Sequence, residues 1–382
     1  MPRRIMTIYG TRPEAIKVAP VIRALQAHAE FESVTVVTGQ HREMLDQVNE
    51  LFGIVPDHDL DVFAHGQTLN GLLSKVFDRI DPVLVAEAPD AVVVQGDTST
   101  VAAASIAAFY RHIPVVHVEA GLRSGNIHSP FPEEANRRLT SQTTALHLAP
   151  TSTAFDNLVR EAIDPSTIAV TGNTVIDALL HTVDQDIPFR DARLLACERE
   201  GRPVLLVTTH RRENWGGAME GVGRALRRIA LRYPQYQVVL PVHRNPIVRE
   251  AVLPYLDGLD NVLVTEPMAY GEFTRLMARS SIVLTDSGGV QEEAPSLGKP
   301  VLVMRDNTER PEAVTAGTVK LIGTSEERIV AEVSGLIDDP AAYAAMSNAV
   351  NPYGDGRAAD RSVAAIADLF GLGDRLPDFS AG

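Results

Sequence analysis

Asp97, Glu119, Glu133 and His210 are the side chains of this 382-residue chain best placed to move protons, because each stands where an apolar run gives way to a polar turn or a helix start. Asp97 lies in Gln95-Gly96-Asp97-Thr98, Glu119 in His117-Val118-Glu119-Ala120-Gly121, and Glu133 in the Pro-stiffened Ser129-Pro130-Phe131-Pro132-Glu133-Glu134. A lone helix-start glutamate is more often a cap than a catalyst. Three carboxylates converging on one site change that balance. Burial and mutual repulsion then raise at least one pKa toward neutrality, and the set can abstract and return protons without a metal. His210 alone reads equally well as structural; beside Arg211 and Arg212 it suits contact with a phosphate or a sugar.

A second constellation, residues 284–312, has the chemistry of an anion cradle. An apolar run ends in Ser287-Gly288-Gly289, and Glu292 and Glu293 follow where a helix should begin. Free N–H groups and the positive end of a helix dipole face an anion, and the glycines let the backbone come close. A first-turn carboxylate such as Glu293 could accept hydrogen bonds from a ribose diol. Arg305 and Arg310 follow a second apolar run. Near the N-terminus, Arg12 and Lys17 bracket the start of a helix after Gly10, either as solvated charges or as cations for a pyrophosphate leaving group. Phe273 could stack on a base or belong to the core, and Trp215 reads as packing. Together these features point to a nucleotide or a nucleotide-linked ligand.

The elements that must position these groups are short apolar runs alternating with helical stretches. Strands are expected at Ile5–Tyr9, Val34–Thr38, Ala91–Val94, Val115–Val118, Ala145–Ala149, Val204–Val207, Gln237–Leu240, Val262–Val264, Ile282–Leu284 and Val301–Met304. Several are apolar throughout, as in parallel strands buried on both faces. The fold class is therefore α/β, with two Rossmann-like doubly wound domains whose ligands sit outside the carboxyl ends of the strands. The expected division is 1–170 with a returning 358–382, against 171–357. Polar clusters at nearly every strand end imply a cleft between two facing domains.

Composition narrows the partners. Thirty-five basic against 49 acidic residues leave a net charge of −14, which disfavours nucleic acid or an anionic membrane. One cysteine, Cys197, gives neither a disulfide framework nor a CxxC metal site, and fits a reducing cytoplasm. No apolar run approaches the roughly 18 residues of a membrane span. The Gly221-Val222-Gly223 segment lacks a preceding strand and a third glycine, so it is a poor dinucleotide site. Asp59-Leu60-Asp61 reads as a solvated turn.

The motifs taken together resemble the non-hydrolysing UDP-N-acetylglucosamine 2-epimerases. They run in family order from GTRPEAIKVAP through QGDTSTVAAA, HVEAGLRSGN, SPFPEEANRR, TGNTVIDAL, HRREN, DSGGVQEEAP and TERPE to NPYGDG. The resemblance implies a glycosyltransferase-B-like fold, a homodimer, no cofactor, and interconversion of UDP-GlcNAc with UDP-ManNAc for cell-surface polysaccharide synthesis. It places Arg12, Lys17, Asp97, Glu119, Glu133 and His210 at the catalytic centre. It places Ser287, Gly288, Gly289 and Glu293 on the UDP phosphates and ribose, Arg310 beside them, and Phe273 by the uracil. A second UDP-GlcNAc acting as effector is implied at Gln40, Glu133, Arg211 and His243. Here, however, the chain carries Gln40-His41-Arg42-Glu43 and Gly66-Gln67-Thr68-Leu69, where many members have a glutamine in place of Glu43 and an arginine in place of Gly66. The added carboxylate and missing guanidinium should weaken an anionic effector. A glycosyltransferase of the same fold, an epimerase of another UDP-2-acetamido sugar, and a non-catalytic nucleotide-sugar sensor stay open at this point.

Overall fold

The computed structural model describes residues 1–39, 42–64, 66–211, 217–308 and 310–381, without the side chains of 42–44. Gln40, His41, Arg212, Trp215 and the side chain of Glu43 thus lie outside the described residues. Contacts divide the chain into two compact units, Met1–Ala178 with Tyr353–Ala381, and Leu179–Pro352.

All ten expected runs form strands. The first unit holds β1 (Arg3–Tyr9), β2 (Phe31–Val37), β3 (His58–Asp59), β4 (Ala91–Gln95), β5 (Val115–Val118), β6 (Leu146–Ala149) and β7 (Ile168–Val170). The second holds β8 (Val204–Thr208), β9 (Gln237–Pro241), β10 (Val262–Thr265), β11 (Ile282–Thr285), β12 (Val301–Val303) and β13 (Val319–Leu321). The sheet orders are β3-β2-β1-β4-β5-β6-β7 and β10-β9-β8-β11-β12-β13, and the strand pairs are parallel.

In each sheet the winding direction reverses once, between β1 and β4 and between β8 and β11. Such reversals open a crevice at the strand ends, where doubly wound sheets bind ligands. Register brings the right residues there. Ile8 pairs with Val94, so the loop after β1 with Arg12 lies by the loop after β4 with Asp97. Thr208 pairs with Thr285, which sets His210 beside Asp286 and Ser287.

Each sheet is held by apolar helices. In the first unit, Val76 and Ile80 from helix Leu69–Glu87 and Val101 and Ala104 from helix Ser99–Tyr110 cover Met6, Ile8, Val92 and Val94. On the other face Val21 and Leu25 pack with Val116, Leu146, and Val363 and Ile366 of the last helix, Ala358–Leu369. The second unit repeats the scheme with Leu226 and Ile229 against Leu205 and Val207. Each fully buried Val, Leu or Ile contributes about 1.5–3 kcal/mol, so the strand ends rest on a stiff base. Gly221 and Gly223 lie inside helix Gly217–Arg232, where a side chain at Gly223 would meet Tyr255. Asp59 belongs to β3 and accepts a hydrogen bond from the Asp61 N–H at 2.9 Å. Among the described residues no helix is long and apolar enough to cross a membrane.

Candidate functional site

In the first unit, the turn after β1 is built before any ligand arrives. A side chain at Gly10 would collide with Thr38, so β1 and β2 approach there as only glycine allows. Thr11 caps helix Arg12–Ala27 in a capping box with Glu14. The Glu14 carboxylate accepts from the N–H groups of Gly10 at 3.1 Å and Thr11 at 2.7 Å, and from the Thr98 hydroxyl at 2.7 Å. It therefore joins the turn holding Arg12 to the turn holding Asp97.

Glu119 follows β5 directly, in the left-handed region with φ 63°. A non-glycine residue there is strained and persists only when its surroundings fix it. Three side chains do so. Lys17 forms an ion pair with Glu119, Gln95 donates to its other oxygen, and Asn173 donates at 3.4 Å. Asp97 pairs with Arg137, and Asn136 donates to the Asp97 carbonyl at 2.9 Å. Burial pushes the Asp97 carboxyl up; the Arg137 guanidinium opposes this, Glu119 adds to it, and the net shift is upward. Glu133 opens helix Glu133–Thr143, close enough for its charge to act on Asp97. Its neighbour Glu134 is fully buried, accepting from the Ser124 N–H at 2.9 Å and pairing with Arg137 and Arg138. The structure thus gathers Lys17, Asp97 and Glu119 in one charged network, with Glu133 at its margin.

Gln95, Asn173, Arg137 and Glu14 were not singled out from sequence. Arg137 carried a usable signal, four residues after Glu133 and so on the same helical face. Gln95 and Asn173 carried none, because only the packed sheet shows that both reach Glu119.

In the second unit, His210 lies two residues past β8 and is fastened to Asp286. The fully buried Asp286 carboxylate accepts from the Thr209 hydroxyl at 3.0 Å and from the N–H groups of His210 at 2.9 Å and Arg211 at 2.9 Å. Its Oδ1 lies 3.0 Å from His210 Nδ1. Burial pushes the Asp286 carboxyl up, but the hydrogen bond and charge of His210 and the two amides outweigh it and hold the group below its ordinary range. The ring of His243 stacks beside that of His210, 6.0 Å between centroids. Arg211 is half-buried and His243 exposed.

One expectation needs correction. The helix after β11 begins at Gly288 and runs to Glu293 before tightening into a 3₁₀ turn, so Glu292 and Glu293 close it and do not open it. The backbone needed its first turn bare of side chains. A Cβ at Gly288 would lie 2.5 Å from Arg310 Nη1 and 2.8 Å from Cζ. Arg310 is held in that position by Glu292, whose Oε1 accepts from Nε at 2.6 Å. Thr308 supports it by accepting from the Arg310 N–H at 3.1 Å and donating to Gln291 at 2.7 Å. A guanidinium therefore lies flat against a glycine helix start, beside the N–H groups following Ser287, and this combination suits a phosphate. Glu293 is buried and accepts from the Tyr270 hydroxyl at 3.4 Å. Phe273 is half-buried, and the core face of its helix is formed by Tyr270, Gly271, Thr274, Leu276 and Met277.

Comparison with known proteins places this geometry among relatives. A family model described as UDP-N-acetylglucosamine 2-epimerase matches residues 23–367. The UDP-N-acetylglucosamine 2-epimerase of Escherichia coli K12 is 50% identical over 376 residues, covering 95% of this chain and 98% of that protein. The crystal structure of the Neisseria meningitidis UDP-GlcNAc 2-epimerase bound to UDP-GlcNAc superposes with a TM-score of 0.84 at 46% identity, covering 96% of this chain and 100% of that one. The Methanocaldococcus jannaschii enzyme in complex with UDP-GlcNAc and UDP gives 0.76 at 33% identity, covering 97% and 100%. The two Rossmann-like units are accordingly of the glycosyltransferase-B-like class.

Proposed function

The chain belongs to the UDP-N-acetylglucosamine 2-epimerase family, and from that premise we propose that it interconverts UDP-N-acetylglucosamine and UDP-N-acetylmannosamine by eliminating and re-adding UDP. A carboxylate of the first unit takes the proton from C2 of the hexosamine. The C1–O bond to UDP breaks with its electron pair, C1 and C2 become doubly bonded, and 2-acetamidoglucal and UDP result. In the return step a proton reaches the opposite face of C2 and a diphosphate oxygen rejoins C1. The sequence is redox-neutral, so no hydride carrier enters the balance.

The observation that carries this reading is the network of Asp97, Glu119, Lys17 and Arg137. Carboxylates gathered with cations in one place suit a reaction that takes a proton from carbon and returns it, which binding alone does not need. Asp97, with its carboxyl raised by burial, holds a proton closer to neutral pH, as a group that alternately gives and takes one must. Lys17 and Arg137 stabilise the carboxylates in their charged forms, and Arg12 and Glu133 complete the set. In the second unit Ser287, Gly288, Gly289 and Arg310 hold the diphosphate, Glu293 the ribose and Phe273 the uracil. His210 serves the reacting end. A second UDP-GlcNAc binds as effector through Gln40, Glu133, Arg211 and His243, weakened by Glu43 and Gly66. The enzyme acts as a homodimer in the cytoplasm and supplies cell-surface polysaccharide synthesis.

The test is incubation of purified protein with UDP-GlcNAc and no acceptor, with chromatography of the nucleotide sugars. A stable mixture containing UDP-ManNAc supports the proposal. Release of UDP only when an acceptor is added would make the protein a glycosyltransferase, and binding without turnover would make it a sensor.

A further inference from the structure

We infer that Asp286 is a positioning residue that keeps the His210 proton on Nδ1 and so presents the Nε2 lone pair to the bound nucleotide sugar. The inference rests on the epimerase reading only for what the lone pair serves; the placement itself stands on geometry. Asp286 is fully buried at the end of β11, and His210 follows β8, its neighbour at the reversal of the second sheet. Oδ2 accepts from the Thr209 hydroxyl and from the N–H groups of His210 and Arg211, at 3.0, 2.9 and 2.9 Å. Backbone N–H groups can only donate, so this oxygen is an obligate acceptor. Oδ1 lies 3.0 Å from His210 Nδ1 and also within 3.1 Å of the His210 N–H. A carboxylate so surrounded by donors is ionised, and the proton between Oδ1 and Nδ1 belongs to the imidazole. Nε2 is then the ring nitrogen left as an acceptor. The His243 ring lies alongside, 6.0 Å between centroids, and the imidazole side chain is 42% exposed, so a ligand can reach it.

The same donor pattern dictates what Asp286→Asn would do. The three donors on Oδ2 keep the amide oxygen in that position. The amide NH₂ must then take the place of Oδ1, facing Nδ1 with hydrogens. Nδ1 becomes the acceptor, the ring proton moves to Nε2, and the lone pair offered to the ligand is lost. The substitution changes few atoms yet inverts the tautomer.

The experiment is long-range nitrogen–proton NMR of ring-labelled histidine, with the His210 signals assigned by their loss in His210→Gln. At mildly alkaline pH, wild type should show a protonated Nδ1 and a bare Nε2, and Asp286→Asn the reverse. Turnover of Asp286→Asn should fall about 10²- to 10⁴-fold, the range a positioned acid–base group supplies, with UDP affinity and melting temperature retained. A protonated Nε2 in wild type, an unchanged tautomer in the variant, or wild-type turnover by the variant would overturn the inference. If the variant fails to fold, the wild-type tautomer decides alone. A wild-type protein with protonated Nδ1 but no epimerisation of UDP-GlcNAc would leave the placement standing and remove the functional reading.

Discussion

Glu119 is held where a side chain of its type does not ordinarily sit, at φ 63°, by Lys17, Gln95 and Asn173. Fixing a charged group in one strained geometry costs stability and removes the need to reorganise when the reaction occurs. Gly288 shows the complementary device, a side chain left out so that Arg310 can lie against the backbone. Gly288→Ala would push the guanidinium aside, and loss of a charge-assisted hydrogen bond should weaken UDP about 10- to 100-fold by calorimetry. Gly289→Ala, whose Cβ would meet only Glu293 at 3.5 Å, should cost markedly less. Equal losses would mean that Arg310 does not act on the phosphate. Asp97, Glu119 and His210 stood out as candidates because strand ends announce themselves where apolar runs stop. Asp286 stands at a strand end too, but its contacts with Thr209, His210 and Arg211 were not legible. Its partners are set by sheet register across 76 residues, which no local pattern encodes.

At the scale of elements, the strands buried on both faces were readable and three edge strands were not. β3, β7 and β13 are two or three residues long and pair on one side only, and β3 and β13 carry exposed charges at Asp59 and Lys320. An edge strand needs little apolar surface, so it leaves little trace in hydropathy. The last helix shows another limit. Arg357, its N-cap, makes no side-chain cap bond; instead Asp177, from far earlier in the chain, accepts from the N–H groups of Ala358 at 3.2 Å and Ala359 at 2.8 Å. Burial pushes the Asp177 carboxyl up to about 6. Between its ordinary value of about 4 and that value the folded protein holds a proton the unfolded chain has lost. The contribution of this group to stability is therefore full below about pH 4 and declines as pH rises to about 6. Asp177→Asn cannot titrate. Relative to wild type it should gain up to about 3 kcal/mol across that window, two pH units at about 1.4 kcal/mol each, in paired urea unfolding at pH 4, 5, 6 and 7. Parallel stability curves would show that the two amides outweigh burial.

For the molecule as a whole, net charge of −14 is no obstacle to an anionic substrate, because arginines and helix starts hold anions locally. The parallel architecture was legible from run length and alternation, since strands covered on both faces have few other sequences open to them. With the proposed effector weakened by Glu43 and Gly66, initial rates against UDP-GlcNAc should rise less sigmoidally than in an activator-dependent enzyme, and a strongly sigmoidal curve would show effector binding undiminished. In the proposed reaction the first unit exchanges the C2 proton while the second retains UDP. Proton NMR of the purified enzyme with UDP-GlcNAc in D₂O tests this most directly. The expected result is UDP-ManNAc with deuterium entering C2 of both sugars. Epimerisation with the C2 proton retained, or no exchange beside tight UDP-GlcNAc binding, would contradict it.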